Sequence, residues 1–257
     1  MIKKLIISLF ACVLIMSCNQ EKREAQKHYK ISKQYFKKEN LGKAYSEIEL
    51  ALKKDSTNYD YNILKAEIIA ETSNYNTALQ TLEKLLYKNY KKDTVSCLMG
   101  EVFYKAGDYH QAKKYYEKAI SYKLNYYDAY MGQLYTLEML GWRDNYSKTM
   151  NDAINIFPDS INLIVERGIN KYRSNNVNSS ILDFNRAIKS KELDSFYLSI
   201  AYRFRGLAYV KLDSLDTAIN DLTNSIRYRK YGKTYVNRGD IYSKLELKDK
   251  ACEDYSN

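Results

Sequence analysis

Asp93 to Tyr126 reads DTVSCLMGEVFYKAGDYHQAKKYYEKAISYKLNY, and this stretch decides the fold. Met99, Gly100 and Phe103 share one face at helical spacing in its first half. Tyr109, Ala112, Tyr116, Ala119 and Ile120 do so in its second. Between them, Lys105-Ala106-Gly107-Asp108 predicts a tight turn. The small residues Gly100, Ala112 and Ala119 stand where two helices must approach closely, with large side chains filling the space beside them. Such a hairpin has apolar surface on both sides and cannot bury it alone; it needs copies of itself.

The copies are in the chain. Ala44, Ala78 and Ala112 recur every 34 residues, each opening an amphipathic second helix. Ser32, Ala66 and Gly100 form the small-residue column of the first helix. Gly168 continues it, and Gly206 and Gly239 rejoin it after a short insertion, Ser195 to Leu198. The pattern resembles the tetratricopeptide repeat, a helix–turn–helix unit with a period of 34 residues. The resemblance implies an all-α fold: an α-α superhelical solenoid of about seven repeats. Their expected bounds are residues 25–58, 59–92, 93–126, 127–160, 161–194, 199–231 and 232–257.

The fourth repeat is degenerate. Leu134 occupies the small-residue column, Gly132 sits two residues early, and Pro158 is the chain's only proline. A shifted or splayed helix pair is expected there. Trp142, the only tryptophan, either covers this imperfect turn or serves as an exposed contact. The seventh repeat ends within its second helix, which is expected to be short and frayed unless a partner covers it.

Residues 1–17 read as a signal peptide: Lys3 and Lys4, an apolar run from Leu5 to Met16, and Ser17. The run is too short to span a bilayer. Ile15-Met16-Ser17-Cys18 resembles a bacterial lipobox, which implies lipid on Cys18, a polar tether over 18–24, and a membrane anchor. The alternative is an ordinary signal peptide with Cys18 incidental. The formal charge of +10 falls to +8 without Lys3 and Lys4. Cys97 and Cys252 lie in distant repeats, so a disulfide is not expected, and both read as small core residues.

One pattern is more specific than hydrophobicity. Arg167, Arg205 and Arg238 each precede the first-helix glycine of the last three repeats. Asp183, Asp221 and Asp254 each precede the large residue of the second helix. Arginine and carboxylate form bidentate, charge-assisted bonds, so the columns predict three structural ion pairs, each within one repeat.

No catalytic constellation can be assembled: His28 and His110 are isolated, and no metal-ligand spacing or phosphate loop is present. No cofactor, metal or enzymatic activity is expected. The resemblance implies that the first helices line a concave binding face. Helical spacing at i, i+4 and i+7 nominates Tyr29, Lys33, Glu67, Glu101, Tyr104, Tyr135, Tyr172, Arg203 and Asp240 on it. The same spacing adds apolar neighbours such as Ile63, Ala70, Cys97, Met131, Val165 and Ile169. Lys233 and Asn237 match only part of the set with which some family members clamp a peptide carboxyl terminus, so that specificity is not carried over. Tyrosine and arginine combine large contact area with a polar handle, which points to a protein or peptide ligand. The competing account for these tyrosines is a composition rich in them, 27 in the chain. Scattered basic residues and the export signal argue against nucleic acid. The expected function is a non-catalytic interaction scaffold anchored in the bacterial cell envelope. The alternative is a ligand-binding accessory component of an envelope nutrient-uptake or glycan-processing complex.

Overall fold

A computed structural model describes residues 20–190 and 192–257 with their side chains. The side chains of residues 1–17, expected to form a signal peptide, and of Cys18, the expected lipidation site, lie outside the described residues, while Gln20 to Glu24 are exposed. The helices are α1 (Ile2–Lys37), α2 (Leu41–Lys54), α3 (Tyr59–Glu71), α4 (Tyr75–Tyr87), α5 (Lys92–Lys105), α6 (Tyr109–Tyr122) and α7 (Tyr127–Leu140). They continue as α8 (Arg143–Ile156), α9 (Ile161–Arg173), α10 (Val177–Lys189), α11 (Ser195–Lys211), α12 (Leu215–Tyr228), α13 (Gly232–Lys244) and α14 (Lys248–Tyr255). Among the described residues there is no strand. The fold is all-α, a solenoid of helical hairpins.

The hairpin turns share one conformation. Glu39, Ser73, Gly107, Gly141, Asn175, Asp213 and Glu246 all have left-handed backbone, with φ between 57° and 81°. They recur every 34 residues up to Asn175, then after 38 and 33. At each turn the amide just after the left-handed residue folds back onto the last turn of the helix, as in Asp108 N to Phe103 O at 3.0 Å and Ser214 N to Tyr209 O at 2.9 Å. Gly107 adopts this geometry freely; Glu39, Ser73, Asp213 and Glu246 adopt it against the side-chain preference. The longer step comes from the insertion: Ser195 to Leu198 form an added first turn of α11, capped where Asp194 accepts from Tyr197 N at 2.8 Å.

The chain divides into two compact units, residues 1–146 and 147–257. In the first, Ala44, Ile48 and Ala51 of α2 pack against Tyr61, Leu64 and Ile68 of α3. Ala78, Leu82 and Leu85 of α4 meet the other side of α3 and Val95, Met99 and Val102 of α5. Buried residues therefore surround most of α3, because it is enclosed by helices on several sides. Tyr116 is the wedge between α5, α6 and α7. A Cβ on Gly100 would stand 2.9 Å from its ring, and one on Gly132 2.3 Å. Gly132 is therefore no misplaced member of the small-residue column. It gives the ring of the preceding repeat a place to lie, while Leu134 in the column itself is buried at 1% exposure.

In the second unit, Phe184 lies over Gly168, Leu222 beside Gly206 and Tyr255 over Gly239. Each large residue follows its glycine by sixteen positions, the offset that crosses from first to second helix. Helix α14 is short, as expected. Its end is pinned: Ala251 and Asp254 are buried, and the Tyr255 hydroxyl donates to Asp240 at 2.9 Å. Cys97 is buried, and burial raises its thiol pKa to about 12, but Cys252 is exposed and is not a core residue. Trp142 is 39% exposed, its ring edge-on to His110 at 5.6 Å and under Lys113 Nζ at 5.7 Å. It is thus both a turn cover and a partly open surface.

Candidate functional site

The predicted face residues divide between the units. In the first, Glu67 and Glu101 line one recess between α1, α3 and α5, with a volume of about 240 Å³, and Lys33 lies near enough to act on Glu67. The apolar lining of the recess comes from Phe36, Ala70, Leu98 and Val102, and its charged wall from Glu67, Glu71, Glu101 and Lys105. Lys105 Nζ bridges Glu71 at 2.6 Å and Glu101 at 2.8 Å. Glu67 is half-buried between these groups. Burial, and then the Glu101 carboxylate, push its pKa up to about 7, against the pull of Lys33 and Lys105.

Tyr29 borders this region, with its ring 4.8 Å from that of Tyr61 and Lys33 Nζ 5.6 Å from its centroid. Tyr104 packs edge-on to Tyr109 at 5.4 Å, and burial raises its phenol pKa. Tyr135, on α7, is 37% exposed.

In the second unit, Tyr172 and Arg203 converge on Phe204. The Tyr172 ring meets it edge-on at 5.7 Å, and the Arg203 guanidinium lies 4.7 Å from its centroid and 5.3 Å from that of Tyr231. Burial, and the like charge of Arg173, lower the Arg203 pKa. Lys211 Nζ covers Tyr172 at 4.3 Å and donates to Asn175 Oδ1 at 3.1 Å. Asp240 is engaged within its own repeat by Tyr255.

Not every position nominated by spacing faces outward. Ile63, Ala70, Cys97, Met131, Val165 and Ile169 are buried. The first helices touch one another, α3 with α5 and α5 with α7, so part of each nominated face is enclosed by its neighbour. Glu71, Lys105, Phe204 and Lys211 were outside the nominated set. A signal for two of them exists in the sequence: Lys105 lies 34 residues after Glu71, one repeat on, and four after Glu101.

The Arg and Asp columns meet. Arg167 donates from Nε and Nη2 to Asp183 at 2.9 and 2.6 Å. Arg205 does the same to Asp221 at 2.8 and 2.7 Å, and Arg238 to Asp254 at 2.8 and 2.7 Å. Two of the guanidiniums also reach back to the preceding repeat, Arg205 Nη1 to Asn185 Oδ1 at 2.6 Å and Arg238 Nη1 to Thr223 Oγ1 at 2.9 Å. Among the described residues no group of three or more His, Cys, Asp or Glu side chains could hold a metal ion, and no helix is long and apolar enough to cross a membrane.

Comparison with known proteins identifies the hairpin. Residues 94–126 and 232–256 match the tetratricopeptide repeat model. The chain is 22% identical over 217 residues to a DnaJ homolog subfamily C member 7 homolog of Dictyostelium discoideum. That match takes in 84% of this chain but only 36% of that protein's length. The fold is similar to a tetratricopeptide repeat protein of Parabacteroides merdae, with a TM-score of 0.68, 17% identity and 91% of each chain covered. It is also similar to YrrB, described as a TPR protein with an unusual peptide-binding site (TM-score 0.54, 15% identity, 73% of this chain and 94% of that one). Two stretches of the chain thus match the tetratricopeptide repeat, and its fold is that of the solved tetratricopeptide-repeat proteins. Repeats of this type generally act as scaffolds for protein–protein interaction rather than as catalysts.

Proposed function

We propose that this protein is a non-catalytic scaffold of the bacterial cell envelope, lipidated at Cys18, that binds a polypeptide on a concave face lined by its first helices. The observation that carries the reading is the recess of the first unit. It joins an apolar floor to a charged wall, and aromatic side chains at Tyr29 and Tyr104 border the same helices. Extended peptides bind to surfaces of this kind by placing side chains in pockets. The apolar run and lipobox-like segment before Cys18 support the anchor. The peptide-binding site named for YrrB supports a peptide as the class of ligand.

The test is crosslinking and capture from intact envelopes, with the natural chain, Cys18→Ala, and the double variant Tyr104→Ala, Tyr135→Ala. The expected result is a discrete protein partner retained by the natural chain and lost by the double variant, with Cys18→Ala released from the membrane fraction. Co-purifying glycan or lipid without any protein would replace the scaffold reading with that of an accessory component in uptake or glycan processing.

A further inference from the structure

The recess of the first unit has a charge left over. Glu67, Glu71 and Glu101 contribute three carboxylates, while Lys33 and Lys105 contribute two ammonium groups. Lys105 is committed to Glu71 and Glu101. Lys33 is exposed and stands over the Tyr29 ring. Glu67 is thus the carboxylate without a cation of its own, half-buried, at a wall whose floor is apolar. A carboxylate held out of water in this way favours whatever restores its counter-charge.

The shape restricts the occupant. Ala70, Leu98 and Val102 line the same recess as Glu67. A lysine side chain has the matching parts, a flexible four-carbon stem and a compact charge. Building on the peptide-scaffold reading, we propose that this recess seats a lysine side chain of the bound polypeptide, its stem on Ala70, Leu98 and Val102 and its ammonium against the Glu67 carboxylate. One added positive charge brings the five ionisable groups to neutrality.

The proposal is tested on the purified full chain with n-butylammonium, the lysine side chain without its backbone, followed by methyl NMR at Ala70, Leu98 and Val102. Saturable shifts confined to these residues are expected, reduced at least several-fold in Glu67→Gln. Because the ligand takes the ionised carboxylate, affinity should rise about tenfold between pH 6 and pH 8 in the natural chain and stay flat in Glu67→Gln. The charged groups facing Glu67 are Lys33 on α1, Glu71 on α3, and Glu101 and Lys105 on α5. Equal binding of n-butanol, or unchanged binding by Glu67→Gln, would overturn the proposal. Because the probe is not a peptide, that failure is separable from failure of the scaffold reading, which rests on partner capture by the tyrosine variants.

Discussion

The two units solve the same packing problem with different chemistry. In the second, a buried carboxylate joins the helices of each hairpin: Asp183, Asp221 and Asp254 are 5% exposed or less, each held by an arginine. In the first, the arginine column holds Ile31, Lys65 and Met99, and the joint is made mainly by apolar contact and small residues, with a polar contact of His28 to Glu47 at 2.6 Å in the first hairpin. Tyr116 between Gly100 and Gly132 is its extreme case. Apolar packing is tolerant of direction, and it leaves the polar outer face of α1, α3 and α5 free to form a recess. An ionic joint fixes geometry and uses its charges internally.

This contrast is broken most strongly by removing one partner of a buried pair. Asp221→Ala leaves Arg205 without its bidentate acceptor and is expected to cost about 3 kcal/mol in urea unfolding. Replacing both partners, as Arg205→Met with Asp221→Leu, is expected to recover most of that loss. A double variant no more stable than Asp221→Ala would mean that the pair supplies net stability and not only geometry.

The apolar joint fails through volume. Gly132→Ala drives a methyl into a ring that has nowhere to go and is expected to cost about 1–3 kcal/mol. Gly42→Ala, on α2 with open space around it, is the control and is expected to stabilise by up to about 1 kcal/mol. If both substitutions act alike, the wedge is not the joint.

A smaller effect distinguishes the units by pH. Glu67 has a folded-state pKa of about 7 against an ordinary 4.5, so the folded chain binds more protons between those values. The stability linked to it is fully present below pH 4.5 and lost as pH rises through 7. Melting temperature should therefore fall between about pH 5 and about pH 8, and Glu67→Gln should flatten this segment and melt higher at the alkaline end. The smallest expected effect is at the Lys244–Asp213 pair, 60% and 79% exposed, where Asp213→Asn should change stability by less than about 0.5 kcal/mol.

The hairpins were legible because a period of 34 repeats the same small residue at the same joint. The Arg and Asp columns were legible for a related reason, since side chains that co-occur at a fixed offset are brought together by every copy. The recess was read only in part. Glu67 and Glu101 follow from helical spacing, but Lys105 enters from one repeat away, and period alone does not state which neighbour a flexible side chain will reach. Gly132 was misread for the opposite reason: its partner, Tyr116, lies in the preceding repeat. Cys252 was read as a small core residue of its helix, and α14 instead leaves it exposed, because composition alone does not say which face of a short helix is covered.

The joint at Tyr116 also bears on how such an array can change by gene duplication. A copied segment of the second unit brings its own arginine, glycine, aspartate and large residue, so gaining or losing one copy orphans no buried charge. Tyr116 instead depends on a glycine encoded in the next segment. One period after Gly132 the chain has Glu166, a side chain that could not lie under that ring. Deleting the fourth repeat would press Tyr116 against a glutamate. The third and fourth repeats are therefore expected to be inherited as a pair, while those after them are free to multiply.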